Sequence, residues 1–556
     1  MKALSHRRAL APHRRRPVSR SQAVRPSAAR SKSARPSPAT WLLVVSAATA
    51  LVGCAGRSPS ATVPSADTDD AAQQVATPVE RIPVAEQTSW AEAVIYFVVL
   101  DRFADSDRSN NAGVDRSAKG AFHGGDLAGL TAQLNELSEL GVTAIWLTPV
   151  NKNTPGFVTG AGFPDWAYHG YWADDFNAID PRFGSEQSLK TLVEEAHARG
   201  MKVLLDVVYN HPGYDSSYER DPSTRTWLRV GDQCGEDSVT QCVAGLPDFK
   251  TERDDVATYL MDAQLGLAGR VGLDGFRLDT VKHIGMEFWE KHRDRVDAEL
   301  GEDFHLLGEV WGGDAKVLDP WFETDTLDSG FDFGFAGSAI GFALGRGRPI
   351  AFNAYLERRR NPRDGYLLAH YLSSHDVPGA LFQLEGDLEK FRLVAALQMT
   401  VSGMPTIYYG EEVGRLGGDW PENRSQMPWG DRDVLPGKGL ARDESLRDWY
   451  RQLIAARRAH PALWRGTHKG LDFGQDHLVF LRQDPESESE VLVAANRGSE
   501  AVAVDLESPA GWSTSVDALT GETVEVEDGR LSFPVPPLGV RILSRSADSP
   551  ADGATP

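Results

Sequence analysis

Eight short apolar runs between residues 94 and 412 constrain the fold more than anything else in this chain. They are VIYFVVL (94–100), AIWLT (144–148), KVLLDVV (202–208), GFRLDTV (275–281), HLLGEVW (305–311), SGFDFGF (329–335), LLAHYLSS (367–374) and PTIYYGEE (405–412). Near-continuous apolar runs suit strands buried on both faces, as in parallel sheets. Segments with a helical period lie between most of them, among them LAGLTAQLNELSELG, SEQSLKTLVEEAHARG and DLEKFRLVAALQMTVSG, and several end in Gly, a common helix stop. Eight strands alternating with helices predict an α/β fold, a (β/α)8 TIM barrel over residues 90–465. The longest interruption, 210–252, reads as an inserted loop domain after the third strand. Beyond about residue 466 the pattern changes to short alternating segments such as HLVFLRQ, EVLVAANR and AVAVDL. These predict a C-terminal antiparallel β-sandwich over 466–545, followed by a disordered tail, 546–556.

The first 53 residues stand outside that pattern. Residues 1–40 carry 11 Lys or Arg and no acid, and the apolar run WLLVVSAATALV follows, Trp41 to Val52. Twelve residues are too few for a spanning helix, which needs about 20, so the segment reads as a signal peptide. It ends in Leu51-Val52-Gly53-Cys54, which resembles a bacterial lipobox. The resemblance implies lipidation at Cys54 and an exported, membrane-anchored protein, with Ala55 favouring the outer membrane. An ordinary cleaved signal with a chance cysteine is the competing reading. Residues 54–89, rich in Ser, Pro, Thr and Ala, read as a disordered tether. Removing residues 1–53 takes the formal net charge from −21 to −32. A body this acidic excludes nucleic acid and anionic membrane surfaces as partners and suits a neutral substrate. Of the three cysteines, Cys234 and Cys242 remain; a local disulfide is expected in an oxidising compartment, the alternative being two free thiols. The chain is expected to act as a monomer.

Barrels of this kind carry their sites at the C-terminal strand ends. There the fourth run carries charge that a buried strand avoids: in GFRLDTVKH, Arg277 and Asp279 share one face, with Lys282 and His283 just beyond. Asp206, Asn210 and His211 end or follow the third run, Glu309 ends the fifth, and His375 and Asp376 end the seventh. Three carboxylates, Asp279, Glu309 and Asp376, therefore converge on one rim. A lone charged pair there reads as structural, but burying several charges without purpose is costly.

The motifs DVVYNH, GFRLDTVKH, GEVW and YLSSHD, with LPDF at Leu246 to Phe249 and YHGYW at Tyr168 to Trp172, resemble the α-amylase superfamily of glycoside hydrolases. The resemblance covers about residues 90–545. It implies Asp279 as nucleophile, Glu309 as general acid/base and Asp376 as the carboxylate that stabilises the transition state. It also implies that His211, His375 and Tyr171 bind the sugar in the cleaved subsite, that Lys282 and His283 flank the acceptor side, and that Asp206 shapes the site. The chemistry accounts for these residue types. Retaining glycoside cleavage needs an acid on the leaving oxygen and a carboxylate about 5–5.5 Å away at the anomeric carbon. Arg277 is expected to keep Asp279 ionised, and neighbouring carboxylates to keep Glu309 protonated.

Calcium is the expected metal. Asp105, Asp107, Asn110 and Asn111 in DSDRSNN supply oxygens of the kind Ca²⁺ takes six to eight of. The segment resembles a calcium loop of cyclodextrin-forming relatives, completed there by residues matching Gly124 and Asp126; a solvated Asn/Asp turn is the plain alternative. A second family calcium is matched by Asn210, Asp248 and the carbonyl of His283. The leading expectation is an endo-acting α-amylase on α-1,4-glucans, favoured by the Lys282–His283 pair. The alternatives are a neopullulanase or cyclomaltodextrinase-like enzyme, a transglycosylating enzyme, and a non-catalytic glucan-binding lipoprotein. Cyclodextrin-glycosyltransferase relatives are expected to carry further C-terminal domains, so the roughly 90 residues after the barrel count against that reading.

Overall fold

The computed structural model describes residues 88–159, 162–359 and 363–545. The signal peptide, Cys54, the tether up to residue 87 and the tail lie outside the described residues. The eight apolar runs form eight strands: β1 Ile95–Val98, β2 Ala144–Leu147, β3 Lys202–Val207, β4 Gly275–Leu278, β5 His305–Gly308, β6 Ser329–Phe331, β7 Leu367–Tyr371 and β8 Met404–Tyr408. Each pairs in parallel with the next in sequence, and β8 closes on β1, with Ile95 opposite Thr406. The result is a closed (β/α)8 barrel. Almost every strand residue is buried.

The strands are shorter than the apolar runs because each run continues into the rim. Asp279 and Glu309 still donate backbone N–H bonds to the preceding strand, to the carbonyls of Val207 at 3.0 Å and Leu278 at 2.9 Å. The chain then leaves the ladder at Thr280, whose φ of 50° and ψ of 37° are left-handed. For a β-branched residue this conformation is strained, and such strain concentrates at functional sites.

The helices follow sequence signals closely. Ser185 caps the helix Glu186–His197 reciprocally with Ser188. One expected helix is corrected: 127–140 is two helices, Leu127–Ala132 and Leu134–Leu140, broken at Gln133. The insertion holds a short helix, Ser217–Arg220, and a two-stranded ribbon pairing Leu228–Arg229 with Asp248–Phe249. Cys234 and Cys242 are joined as a disulfide, their Cα atoms 5.4 Å apart.

The C-terminal region holds β9 Thr467–Phe473, β10 His477–Asp484, β11 Ser489–Asn496, β12 Val502–Glu507, β13 Thr514–Asp517, β14 Thr523–Glu527, β15 Arg530–Val535 and β16 Gly539–Arg545. The expected two sheets of a sandwich are one continuous sheet, ordered β9-β10-β11-β16-β13-β14-β15-β12. Alternation divides its side chains between two cores. Leu478, Phe480, Val491, Val493, Val540 and Ile542 join the barrel core. Val479, Leu481, Leu492 and Leu543 face the other way, onto Val504, Leu506, Leu531, Phe533 and Val535 from the folded-over half.

Candidate active site

The three expected carboxyls meet in one cleft of about 620 Å³ at the C-terminal strand ends, lined also by Tyr171, His211, Lys282, His283, His375 and Arg424. A larger cavity, about 750 Å³, lies at the opposite end of the barrel, between the strand starts at His305 and Leu367 and Arg482 of the C-terminal sheet. It holds none of the expected site residues, so chemistry rather than volume identifies the site.

Arg277 organises the floor. Its guanidinium, 1% exposed, donates to Asp206 on β3 at 3.0 and 3.1 Å and to Asp279 at the end of β4 at 2.7 Å. Its other terminal nitrogen lies 3.0 Å from Glu309 at the end of β5. One planar cation thus binds carboxyls from three adjacent strands, a fork that lysine cannot reproduce. Asp206 also accepts from Trp146 Nε1 at 3.1 Å and Tyr171 Oη at 2.7 Å, which makes it a post supporting the site from below. The strained turn at Thr280 aims its N–H at Glu309 Oε2, 3.0 Å away.

The electrostatics separate the carboxyls. Burial, then the charges of Asp279 and Asp376, push Glu309 up to about 8 against the pull of Arg277. Like charge alone, the expected cause, is thus the lesser part; desolvation leads. For Asp376 burial also pushes upward, but His375, Arg424 and Arg277 outweigh it and hold the carboxyl below its usual range. His375 is itself driven down to about 3, chiefly by burial. At neutral pH the imidazole is therefore uncharged, and the two guanidinium groups supply the attraction. Burial also lowers His211, leaving both histidines as neutral hydrogen-bonding groups.

The remaining expected residues fall around these. Tyr171 stacks on His375, ring centres 5.3 Å apart and planes within 10°. Lys282 Nζ donates to the Trp311 carbonyl at 3.3 Å, and His283 Nδ1 lies 2.8 Å from the Ser238 carbonyl of the insertion. Sequence reasoning missed Arg424, which donates to Asp376 at 3.1 Å and to the His375 carbonyl at 2.9 Å. It also missed Trp311, half exposed on the rim, and Trp146 below it. Arg424 ends a single 3-10 turn, Glu422–Arg424, in the long connection after β8, where no periodicity points inward. Trp311 was visible as the residue two beyond Glu309.

Among the described residues no group of three or more His, Cys, Asp or Glu is placed to hold a metal. The expected calcium donors mix carboxylates with Asn amide and main-chain oxygens. Asp105 Oδ1, Asn110 Oδ1 and Asn111 Oδ1 are buried without a hydrogen-bond partner, an arrangement that native proteins rarely leave unsatisfied. A Cβ at Gly124 would fall 2.4 Å from Asn111 Oδ1. Asp126 instead caps a helix through Gly129 N at 2.6 Å, and the exposed Asp107 carboxylate turns onto Ser109. Arg116 reaches Asp105 Oδ2 at 2.5 Å. At the second expected site, Asn210 Oδ1 and Asp248 Oδ1 are likewise buried and unpartnered, while Asp248 Oδ2 is held by Arg229 at 2.7 Å.

Residues 97–233 and 223–450 match the family described as alpha amylase, catalytic domain, and residues 472–542 match the C-terminal domain of maltogenic amylase. The chain is 32% identical over 492 residues to neopullulanase 2 of Thermoactinomyces vulgaris, covering 84% of this chain and 80% of that one. It is 30% identical over 504 residues to a cyclomaltodextrinase of Geobacillus thermopakistaniensis, covering 85% and 81%. Among solved structures, the alpha-amylase of Geobacillus thermoleovorans complexed with acarbose superposes with a TM-score of 0.71 at 30% identity, covering 82% of this chain and 99% of that one.

Proposed function

The chain belongs to the α-amylase family of glycoside hydrolases, and from that premise we propose that it hydrolyses α-1,4-glucosidic bonds of α-glucans with retention, accepting cyclic and pullulan-type substrates. Two relatives bear the names neopullulanase and cyclomaltodextrinase, which favours the alternative over the endo-acting α-amylase expected from the Lys282–His283 pair. The α-amylase reading keeps specific support from solved alpha-amylases that superpose over nearly their whole length.

The observation that carries the proposal is the pair Asp279 and Glu309 bridged by one guanidinium in an open cleft, with Glu309 raised to about 8. Protonated Glu309 delivers its proton to the glycosidic oxygen as Asp279 attacks the anomeric carbon from the other face. The C–O bond to the leaving sugar breaks and a glycosyl ester forms on Asp279. Glu309, now a carboxylate, takes a proton from water, whose oxygen displaces Asp279 and restores both groups. Arg277 offsets the charge on Asp279, while Asp376, held ionised by Arg424, faces the positive charge that develops on the sugar.

Calcium fits the loop built on Asp105, Asn110, Asn111 and Gly124, whose free buried oxygens suit a hard cation, and less closely Asn210 and Asp248. When bound it would tie the loops together; it takes no part in the steps above. Export and lipidation at Cys54 belong to the same reading, and labelled palmitate incorporation lost in Cys54→Ser tests them.

The test of activity is a product time course on starch, pullulan and cyclodextrin, beside Asp279→Asn. Release of α-anomeric products from cyclodextrin and pullulan, abolished in the variant, is expected. Glucan binding without cleavage by wild type would overturn the reading.

A further inference from the structure

The single turn Glu422–Arg424 leaves its last carbonyls without partners of its own, as every helix end does. Among the described residues no backbone N–H answers the carbonyls of Asn423, Arg424 or Ser425. Side chains of the barrel take all three. Arg102, in the short helix Leu100–Phe103 after β1, donates Nε to the Arg424 carbonyl at 3.1 Å. Tyr408 Oη and Arg415 Nη1 donate to the Asn423 carbonyl at 3.0 and 2.8 Å, and Tyr409 Oη to the Ser425 carbonyl at 2.6 Å. These side chains are fixed in turn. Arg102, buried, pairs with Asp101, donates to the carbonyls of Lys119 at 2.8 Å and Ala121 at 3.0 Å, and lies 3.6 Å from the centre of the Tyr168 ring. Arg415 lies 4.1 Å from the centre of the Tyr409 ring. Gly410, left-handed at φ 83°, makes room for it, since a Cβ there would fall 2.8 Å from Arg415 Nε.

The segment pinned in this way turns its own side chains to the end of β7. Asn423 Nδ2 and Arg424 Nε both donate to the His375 carbonyl, at 2.8 and 2.9 Å, and Arg424 Nη2 donates to Asp376 at 3.1 Å. Resting on the proposed hydrolysis for the role of Asp376, we propose that Arg102, Tyr409 and Arg415 are positioning residues of the active site, fixing the main chain of residues 423–425 so that Arg424 meets Asp376. None of the three lines the cleft. They act one step back, by holding a long side chain where it would otherwise swing on a single turn. Around Asp376 stand His375, Arg424, Arg277, Glu309, Tyr171 and Tyr371. Of these six, Arg424 alone belongs to the pinned segment, so loosening the segment withdraws one cation and leaves the other five in place.

The test uses Tyr409→Phe, which removes one hydroxyl and leaves the packing, and Arg102→Lys, which keeps a charge beside Asp101 but loses the fork. Arg424→Gln is the reference. The first readout is the titration of Asp376 itself, followed by NMR of protein labelled at the aspartate carboxyl carbons and assigned by the signal lost in Asp376→Asn. Its midpoint is expected to rise by about one pH unit in Arg424→Gln, the effect of one nearby cation, and by less, with the same sign, in the other two. The second readout is kcat on maltoheptaose, expected to fall about fivefold in Tyr409→Phe, the effect of roughly one lost hydrogen bond. Adding Tyr409→Phe to Arg424→Gln should lower kcat no further, because a residue that acts through another has nothing left to act on. A midpoint unchanged in both Tyr409→Phe and Arg102→Lys, or losses that multiply in the double variant, overturn the proposal. If wild type cleaves no glucan, the hydrolase reading falls instead, and the Asp376 midpoint alone decides whether these residues position Arg424.

Discussion

At the scale of single residues, the site separates carboxyls by environment. Glu309 is buried and pushed to about 8, which suits the acid of the proposed mechanism. The proton it must donate is lost as pH rises through that value, so kcat/KM on maltoheptaose should fall above about pH 8. Glu309→Gln should cost about 10²–10⁴ in rate on glucans and far less on α-maltosyl fluoride, whose leaving group needs little protonation. Equal losses on both would remove Glu309 from the role of acid. A second buried carboxyl, Glu411, is also raised to about 8, mainly by burial, against the pull of hydrogen bonds from Ser373 and the Tyr408 backbone. Its folded value lies above the ordinary 4.5. The folded state therefore binds the extra proton, and stability contributed by that proton is lost as pH climbs from about 4.5 to about 8. Glu411→Gln should flatten the decline of Tm across that window; an unchanged slope would assign the decline elsewhere. The three candidate carboxyls were legible because they end apolar runs, where charge is conspicuous. Arg424 was not, since its position depends on a loop with no period to read.

At the scale of elements, the barrel was legible because strands buried on both faces carry an unbroken apolar signature. Their ends were not: the same apolar run continues past the ladder into the rim, and nothing local marks where Thr280 turns left-handed. The folded-over C-terminal sheet was hidden for a related reason, since alternation gives the two faces of a strand but not its partner across the core. The loop from Asp105 to Asn111 belongs to this scale too. Arg116 holds one oxygen of Asp105 while three neighbouring oxygens stay free, so the guanidinium competes with an incoming cation for the same carboxylate. Calcium is expected to raise Tm modestly in wild type and more in Arg116→Gln, the gain growing with ligand concentration as mass action requires. A Tm insensitive to calcium and to chelator in both proteins would leave the loop as a plain polar turn.

At the scale of the molecule, the barrel and the C-terminal sheet share one core. Phe480, Val491, Val493 and Ile542 are buried in the same cluster as the barrel strands, and Arg497 donates to the Gly347 carbonyl at 2.9 Å. The two parts should therefore melt together. Calorimetry is expected to show a single transition over both, and truncation after residue 465 to give an aggregating barrel with its apolar underside uncovered. Two well-separated transitions would mean that the sheet is an independent module.

The shared guanidinium of Arg277 has a consequence for how such a site changes over generations. Four side chains at the ends of three neighbouring strands form one linked set of polar groups. Dropping one member leaves the others mismatched, so no lineage can trade them away one codon at a time without passing through a crippled form. Descendants that abandon the chemistry should show the quartet replaced together, while the loops around it drift freely.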